Sequence, residues 1–363
     1  MFRIVKSDSS ARLARLSTLH GVLETPVFLP VATKATAKHL SPHELSALGS
    51  KAIICNSFLL SLRPGVKLVK KFGGLHKFMD WHNVIFTDSG GFQILSEPFF
   101  KKTTPAGGYF KSPFDGQTSF LSPEKAIGIQ ESLGSDVMMC LDEMPLFSQT
   151  KNQVAASTRM THSWARKCLA ARKNRKHLLF GICQGGIYPD LRKESAKLIS
   201  SLDFDGISIG GLAVGEPQKK MLDMLKVVEH ILPEDKPHYL MGVGSPDDMI
   251  KAISLGVDIF DSAFPTQSAR HGTLFTFGGK LKITNVKYRE DRKSVEKDCD
   301  CYLCRSFSRA YLHHLFRINE PFGLRLASMH NIRFINRFIG QVKLAIKDNN
   351  LEKYKARFLR SFC

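Results

Sequence analysis

Eight short apolar runs, separated by segments with helix-forming chemistry, constrain this chain more than any other feature. They are TPVFLPVAT (25–33), KAIICNS (51–57), NVIFTDSGG (83–91), DVMMCLDE (136–143), LLFGICQGG (178–186), GISIGGLAVGE (206–216), HYLMGVGS (238–245) and VDIFDSAFPT (257–266). Near-continuous apolar character, rather than alternation, is the mark of a parallel strand covered on both faces. Between the runs lie segments such as SPHELSALG (41–49) and SPEKAIGIQESLGS (122–135). The second begins with Ser122 as a cap and Pro123 at the first helical position, and ends on glycine, which is the start and stop chemistry of a helix. Strands alternating with helices put the chain in the α/β class, and eight of them predict a closed (β/α)8 TIM barrel. An open doubly wound sheet is the alternative; the strand count favours closure.

In such a barrel the carboxyl ends of the strands share one face, where the loops carry the chemistry. Here those ends read Asp88-Ser89-Gly90-Gly91-Phe92-Gln93, Asp142-Glu143, Gln184-Gly185-Gly186, Gly210-Gly211-Leu212, Met241-Gly242-Val243-Gly244 and Asp261. Any one acid could be a helix cap or turn residue. Several acids and a glutamine gathered at one end are harder to explain by stability alone. Asp142 and Gln184 suit the hydrogen-bonding edge of a planar heterocycle, and glycines let main chain approach a ligand closely. Phe92 and Met241 are apolar plates for a stacked base, or else ordinary packing at the barrel mouth. Asp88 and Asp261 suit displacement at an anomeric carbon, one as nucleophile and the other as proton shuttle.

The chain of 363 residues carries 52 Lys and Arg against 33 Asp and Glu, a formal charge of +19. An excess this large points to a polyanionic partner, nucleic acid first. No apolar run reaches the ~18 residues of a membrane span, and the N-terminus MFRIVKSDSSARLARL lacks the apolar core of a secretory signal. A cytoplasmic protein with no membrane contact is expected.

Three of the eight cysteines, Cys299, Cys301 and Cys304, form a C-x-C-x2-C cluster, and the others are scattered. This is a metal-site pattern rather than a disulfide framework. A fourth ligand is available downstream among His313, His314 and His330, and His330 is the choice made here. Three thiolates and one imidazole make a closed, structural Zn2+ site. The expected division of the chain is an N-terminal hairpin or lid (1–20), the barrel catalytic core (21–270), a zinc-binding subdomain (271–335) and a C-terminal helical segment closing on the barrel (336–363). The long, glycine-containing third connection (92–121) reads as an active-site flap or added hairpin.

Taken together, TPVFLPVAT, NSFLLSLRPG, FTDSGGFQ, LSPEKAIGIQESLGSD, LDE, GICQGG, IGGLAVGE, YLMGVGSPDD, FDSAFPT and the C-x-C-x2-C…H set resemble the tRNA-guanine transglycosylase (queuine tRNA-ribosyltransferase) family, bacterial type, over nearly the whole chain. The resemblance implies a barrel with an inserted zinc subdomain, and exchange of guanine at the tRNA wobble position for a 7-deazaguanine in queuosine biosynthesis. It implies Asp261 as the nucleophile that forms a covalent ribosyl intermediate and Asp88 as the carboxylate handling the proton. Asp142, Gln184 and the main chain at Gly211 and Leu212 would read the base, with Phe92 and Met241 stacking on it. Arg270 and Gln267 would contact tRNA, where Gln267 replaces a typical arginine. The implied partners are a tRNA with a GUN anticodon, a free base and a second copy of the chain, whose interface helix SRAYLHHL includes Tyr311 and His314.

Met144 stands where bacterial members carry cysteine, Leu59 where histidine is common, and Val214 keeps the bacterial form. The bacterial form at Val214 implies 7-aminomethyl-7-deazaguanine as the favoured base, while Met144 and the SARHG loop leave queuine open. A non-catalytic tRNA-binding partner subunit is the alternative, against which the retained acids argue.

Overall fold

The computed structural model describes residues 2–90 and 100–362. All eight apolar runs form strands: β4 (Val27–Pro30), β5 (Ala52–Asn56), β6 (Val84–Asp88), β10 (Val137–Met139), β11 (Leu178–Cys183), β12 (Gly206–Ile209), β13 (His238–Leu240) and β14 (Ile259–Ser262). They pair in the order β4-β14-β13-β12-β11-β10-β6-β5, all parallel. A parallel bridge between Val31 and Ile54, with Ala32 N donating to Ile54 O at 2.7 Å, brings the two edge strands together. The predicted (β/α)8 barrel is thus the observed one, nearly closed through this bridge.

The helices follow their caps. Ser122 Oγ accepts from Lys125 N ahead of helix Pro123–Leu133, which ends on Gly134 at φ 77°. That left-handed angle is one a side chain adopts only at a cost, and a cap such as Ser122 is worth about 1 kcal/mol. Inside the barrel, Phe86 meets Phe180 and Tyr239 edge to face, each with centroids 6.1 Å apart. Each fully buried ring of this kind contributes roughly 2–3 kcal/mol, and this packing fixes where the Tyr239 hydroxyl emerges.

The base of the barrel is covered by an antiparallel sheet of β1 (Phe2–Asp8), β2 (Ala11–Thr18) and β3 (Gly21–Thr25). This N-terminal piece gains a third strand and continues past residue 20, because the Thr18–Gly21 turn folds GVLET back onto β2 before the chain enters β4. Two buried ion networks anchor it. Arg12 clasps both carboxylate oxygens of Asp258, and Asp136 accepts from His20 N at 3.0 Å.

Beside the mouth, the third connection builds a small sheet of β7 (Phe100–Thr104), β8 (Gly107–Lys111) and β9 (Thr118–Leu121), the added element expected there. Its turn is held to the barrel by Phe114, whose ring lies 5.4 Å from Lys34 Nζ and 5.0 Å from the Arg63 guanidinium.

After helix Phe264–Arg270 come the hairpin β15 (Thr273–Thr276) and β16 (Gly279–Lys282), the cysteine cluster, and the long helix Pro321–Lys347. This helix runs unbroken across residues 335 and 336. Asn331, buried at its centre, donates to Pro265 O (2.9 Å) and Thr273 O (3.0 Å) and accepts from Phe275 N (3.0 Å), stitching the long helix to β15 and to the helix that follows β14. Among the described residues no helix is long and apolar enough to cross a membrane.

Candidate active site

A cavity of about 710 Å³ opens at the carboxyl ends of the strands. Asp88, Asp142, Gln184, Gly211, Leu212, Met241, Asp261 and Gln267 all line it. Arg270 lies three residues beyond Gln267, at the last turn of its helix and outside this lining. Its Nη1 is buried without a hydrogen-bond partner among the described residues. Phe92 falls outside the described residues.

Asp261 ends β14, and its Oδ1 accepts from both Tyr239 Oη (2.6 Å) and Gly242 N (2.9 Å). Oδ2 makes no hydrogen bond among the described residues. Burial raises the Asp261 pKa, while the Tyr239 and Gly242 donors oppose that rise. One oxygen is thus fixed by two donors, and the residue lines the cavity. Asp88 lies in register with Asn56 on the neighbouring strand and accepts from Asn56 Nδ2 at 3.1 Å; its carbonyl accepts from Ser57 Oγ at 2.6 Å.

Asp142 is buried and accepts from Gln184 Nε2 at 2.7 Å. Burial pushes its pKa up to about 6 against that hydrogen bond. Gln184 is fully buried, and its Oε1 finds no partner among the described residues. An unpaired buried carbonyl costs about 1–3 kcal/mol, so an orphan acceptor beside a carboxylate marks a place where a ligand supplies N–H groups. Gly211 is needed at this spot: it has φ 64°, and a Cβ there would sit 2.3 Å from Gln184 Oε1. Behind it, fully buried Arg192 donates from Nη2 to Gly211 O (3.1 Å), from Nε to Gly186 O (2.7 Å) and from Nη1 to Cys183 O (3.3 Å), tying two strand-end loops together. Glu216 accepts from Ala213 N and Val214 N and so orders the rest of the β12 loop.

Tyr239, Asn56, Arg192 and Glu216 escaped the sequence reading. Tyr239 sits inside an apolar strand and Arg192 inside a helix with a charged face, so neither carries a local sign of its polar task. Asn56 did leave one, as a polar residue ending β5 at the same level as Asp88.

The second cluster lies in the C-terminal region. His330 Nδ1 is 3.8, 3.6 and 3.3 Å from the sulfurs of Cys299, Cys301 and Cys304, and all four ligand atoms lie within 4.8 Å of one another. His330 Nε2 is 2.8 Å from Phe275 O, so that nitrogen carries the proton and Nδ1 faces the thiols with a lone pair. Such an outer hydrogen bond is the usual orienting device of a metal-bound histidine. His313 instead lies 2.7 Å from Ile283 O, and His314 points to solvent. The donor set fits a metal ion, as a closed tetrahedral zinc site requires.

These features define a barrel enzyme with paired acids at its mouth and a cysteine–histidine metal cluster beyond it. A family profile described as "Queuine tRNA-ribosyltransferase" matches residues 7–363. A queuine tRNA-ribosyltransferase of Thermoanaerobacter pseudethanolicus is 48% identical over 364 residues, covering 99% of this chain and 97% of the relative. One from Bacillus licheniformis is 48% identical over 356 residues, covering 98% and 93%. One from Moorella thermoacetica is 44% identical over 363 residues, covering 99% and 97%. The chain belongs to this family of tRNA-guanine transglycosylases, and it is an enzyme.

Proposed function

We propose that the enzyme exchanges guanine at the wobble position of a GUN-anticodon tRNA for a 7-deazaguanine through a covalent ribosyl-Asp261 intermediate. The observation that carries this is the asymmetric bonding of Asp261, with two donors on Oδ1 and Oδ2 left open. Oδ2 attacks the ribose anomeric carbon, forming a C–O bond as the C1′–N9 bond to guanine breaks. Asp88 delivers the proton to the departing base and later takes one from the entering base. The new base then attacks C1′ and releases Asp261. Each half is a displacement, so configuration is retained overall.

In this reading Asp142 and Gln184 Oε1 accept the N–H groups of the guanine edge, the main chain at Gly211 and Leu212 completes the pocket, and Met241 and Phe92 stack on the two faces. The reacting nucleotide leaves the anticodon loop to reach this depth, and single-stranded loops are where such extrusion costs least. Arg270, with its unpaired buried nitrogen, and Gln267 at the cavity edge face the arriving backbone. The favoured entering base is 7-aminomethyl-7-deazaguanine; queuine is the second, with Met144 and Val214 lining the pocket.

When bound, Zn2+ holds the Cys299, Cys301, Cys304 and His330 side chains together and supplies folding energy rather than chemistry. The segment around it (271–335) acts as the zinc subdomain, and exposed Tyr311 and His314 offer a surface for a second copy of the chain. Incorporation of labelled guanine, 7-aminomethyl-7-deazaguanine and queuine into a GUN-anticodon tRNA tests the assignment. Guanine exchange together with tighter use of the aminomethyl base is expected; no incorporation of any base would defeat it.

A further inference from the structure

The opposite end of the barrel holds a second cavity that the reaction does not use. Its volume is also about 710 Å³. Val27 and Phe28 line it, and they begin β4, so it sits at the amino ends of the strands, under the N-terminal sheet and against helix Pro321–Lys347.

Its walls are cationic in a way the fold alone does not explain. Arg3 and Arg15 are direct cross-strand partners in the β1–β2 register. Like charges directly opposite each other weaken a sheet. Glu24, the one carboxylate in the lining, is Arg15's partner on β3 and lies 3.3 Å from its guanidinium. The side chains of Arg3 and Lys51 make no hydrogen bond or ion pair among the described residues. The fourth cation, Lys343, is half-buried and donates only to the Glu24 carbonyl, at 2.9 Å. Burial lowers its pKa, against the opposing charge of Glu24. Four basic side chains from four separate segments thus line one cavity with a single carboxylate among them.

Convergent cations that repel one another are relieved by an anion between them, and guanidinium forks match phosphate oxygens in geometry. The floor is different: Val27 and Ile339 are apolar, with the exposed side chain of Val22 beside them. The volume falls within the roughly 300–1,000 Å³ of small-ligand sites. We propose that this basin is a second ligand site for a small phosphorylated molecule, with its phosphate held by Arg3, Arg15, Lys51 and Lys343 and an apolar body against Val22 and Ile339. The site is independent of base exchange.

Calorimetric titration of the full-length, zinc-loaded protein with ADP and with inorganic pyrophosphate, at ionic strength fixed with KCl, tests this. Saturable binding of one ADP per subunit is expected, tighter than pyrophosphate because only ADP covers the apolar floor. Arg3→Glu and Lys51→Glu each weaken it about tenfold or more, the loss of a charge-assisted hydrogen bond. Both side chains are exposed, so each variant keeps the wild-type Tm and base exchange, which separates lost binding from lost folding. Arg270→Gln, at the far end, leaves ADP binding unchanged. Absence of saturable binding, or binding that survives both charge reversals, overturns the proposal. Loss of binding in Arg270→Gln alone moves the anion to the active-site mouth and overturns it equally. Equal affinity for pyrophosphate removes the apolar floor from the site. Weaker tRNA binding by Arg3→Glu without any ADP binding assigns the basin to RNA backbone instead.

Discussion

The two ends of the barrel use the same residue type in opposite ways. Asp258 and Asp261 lie three residues apart at the two ends of β14, and Asp136 and Asp142 lie six apart on either side of β10. At the base, Asp258 is clasped by Arg12 and also accepts from His238 N at 2.8 Å. Asp136 accepts from His20 N and Ile85 N and lies within 3.1 Å of the rings of His20 and His76, and these partners outweigh burial and lower its pKa. Those carboxylates have both oxygens engaged. At the mouth, Asp261 keeps one oxygen open, and Asp142 is paired through Gln184, which is itself left with an orphan carbonyl. Satisfied acids stabilise; incompletely satisfied acids are held ready for a substrate. This matches the general division of such barrels into a stability face and a chemical face.

Exchanging the roles of the two ends is the sharpest way to break this comparison. Asp261→Asn is expected to lower kcat by about 10⁴-fold or more, the usual cost of losing a nucleophile, with urea unfolding close to wild type because the Tyr239 contact survives. Asp258→Ala is expected to do the reverse. It leaves Arg12 buried and unpaired, which costs about 3–5 kcal/mol of stability by chemical denaturation, with little change in kcat per folded molecule. A large stability loss in the first, or an activity loss without unfolding in the second, would erase the distinction. Cys301→Ser probes a third region. Loss of bound zinc by metal analysis, with a lower Tm, is expected; unchanged stability without metal would remove the structural role.

Smaller effects sharpen the picture at the mouth. Tyr239→Phe removes one of two donors to Asp261, and a hydrogen bond to a charged group is worth about 1.5–3 kcal/mol. A fall in kcat of about tenfold to a hundredfold, with KM for the base unchanged, is expected from steady-state kinetics. The smallest effect is in pH. With its pKa near 6, Asp142 loses its charge as the pH falls through that value. KM for the entering base should therefore rise below about pH 6 and be flat above it, and Asp142→Asn should raise KM and abolish the dependence. The sign for folding is opposite. A carboxyl whose pKa is raised on folding contributes stability below its unfolded value of 3.8, and this contribution is lost as the pH rises through about 6.

Much of this was legible in the residues because it is periodic or local. The apolar runs declare the strands, Ser122-Pro123 and Gly134 declare a helix, and strands of one parallel barrel must put Asp88, Asp142, Gln184 and Asp261 on one face. The cysteine spacing declared three ligands and left three downstream histidines; His330, the one expected, is the one the fold brings to the sulfurs, while His313 and His314 lie elsewhere. What stayed hidden depends on distant pairing. Arg12 and Asp258 are separated by 246 positions, so nothing near either announces the other. Tyr239 looks like core until its hydroxyl is placed beside Asp261. Arg3 and Arg15 become neighbours only once the β1–β2 register is known.

The central claim, that Asp261 becomes covalently joined to tRNA, is tested most directly by denaturing electrophoresis of the protein mixed with a GUN-anticodon tRNA. A protein band shifted by covalent RNA, absent in Asp261→Asn and discharged by added free base, is the predicted result. A shifted band that persists in Asp261→Asn, or no shift while tRNA binding and base exchange are intact, would contradict it.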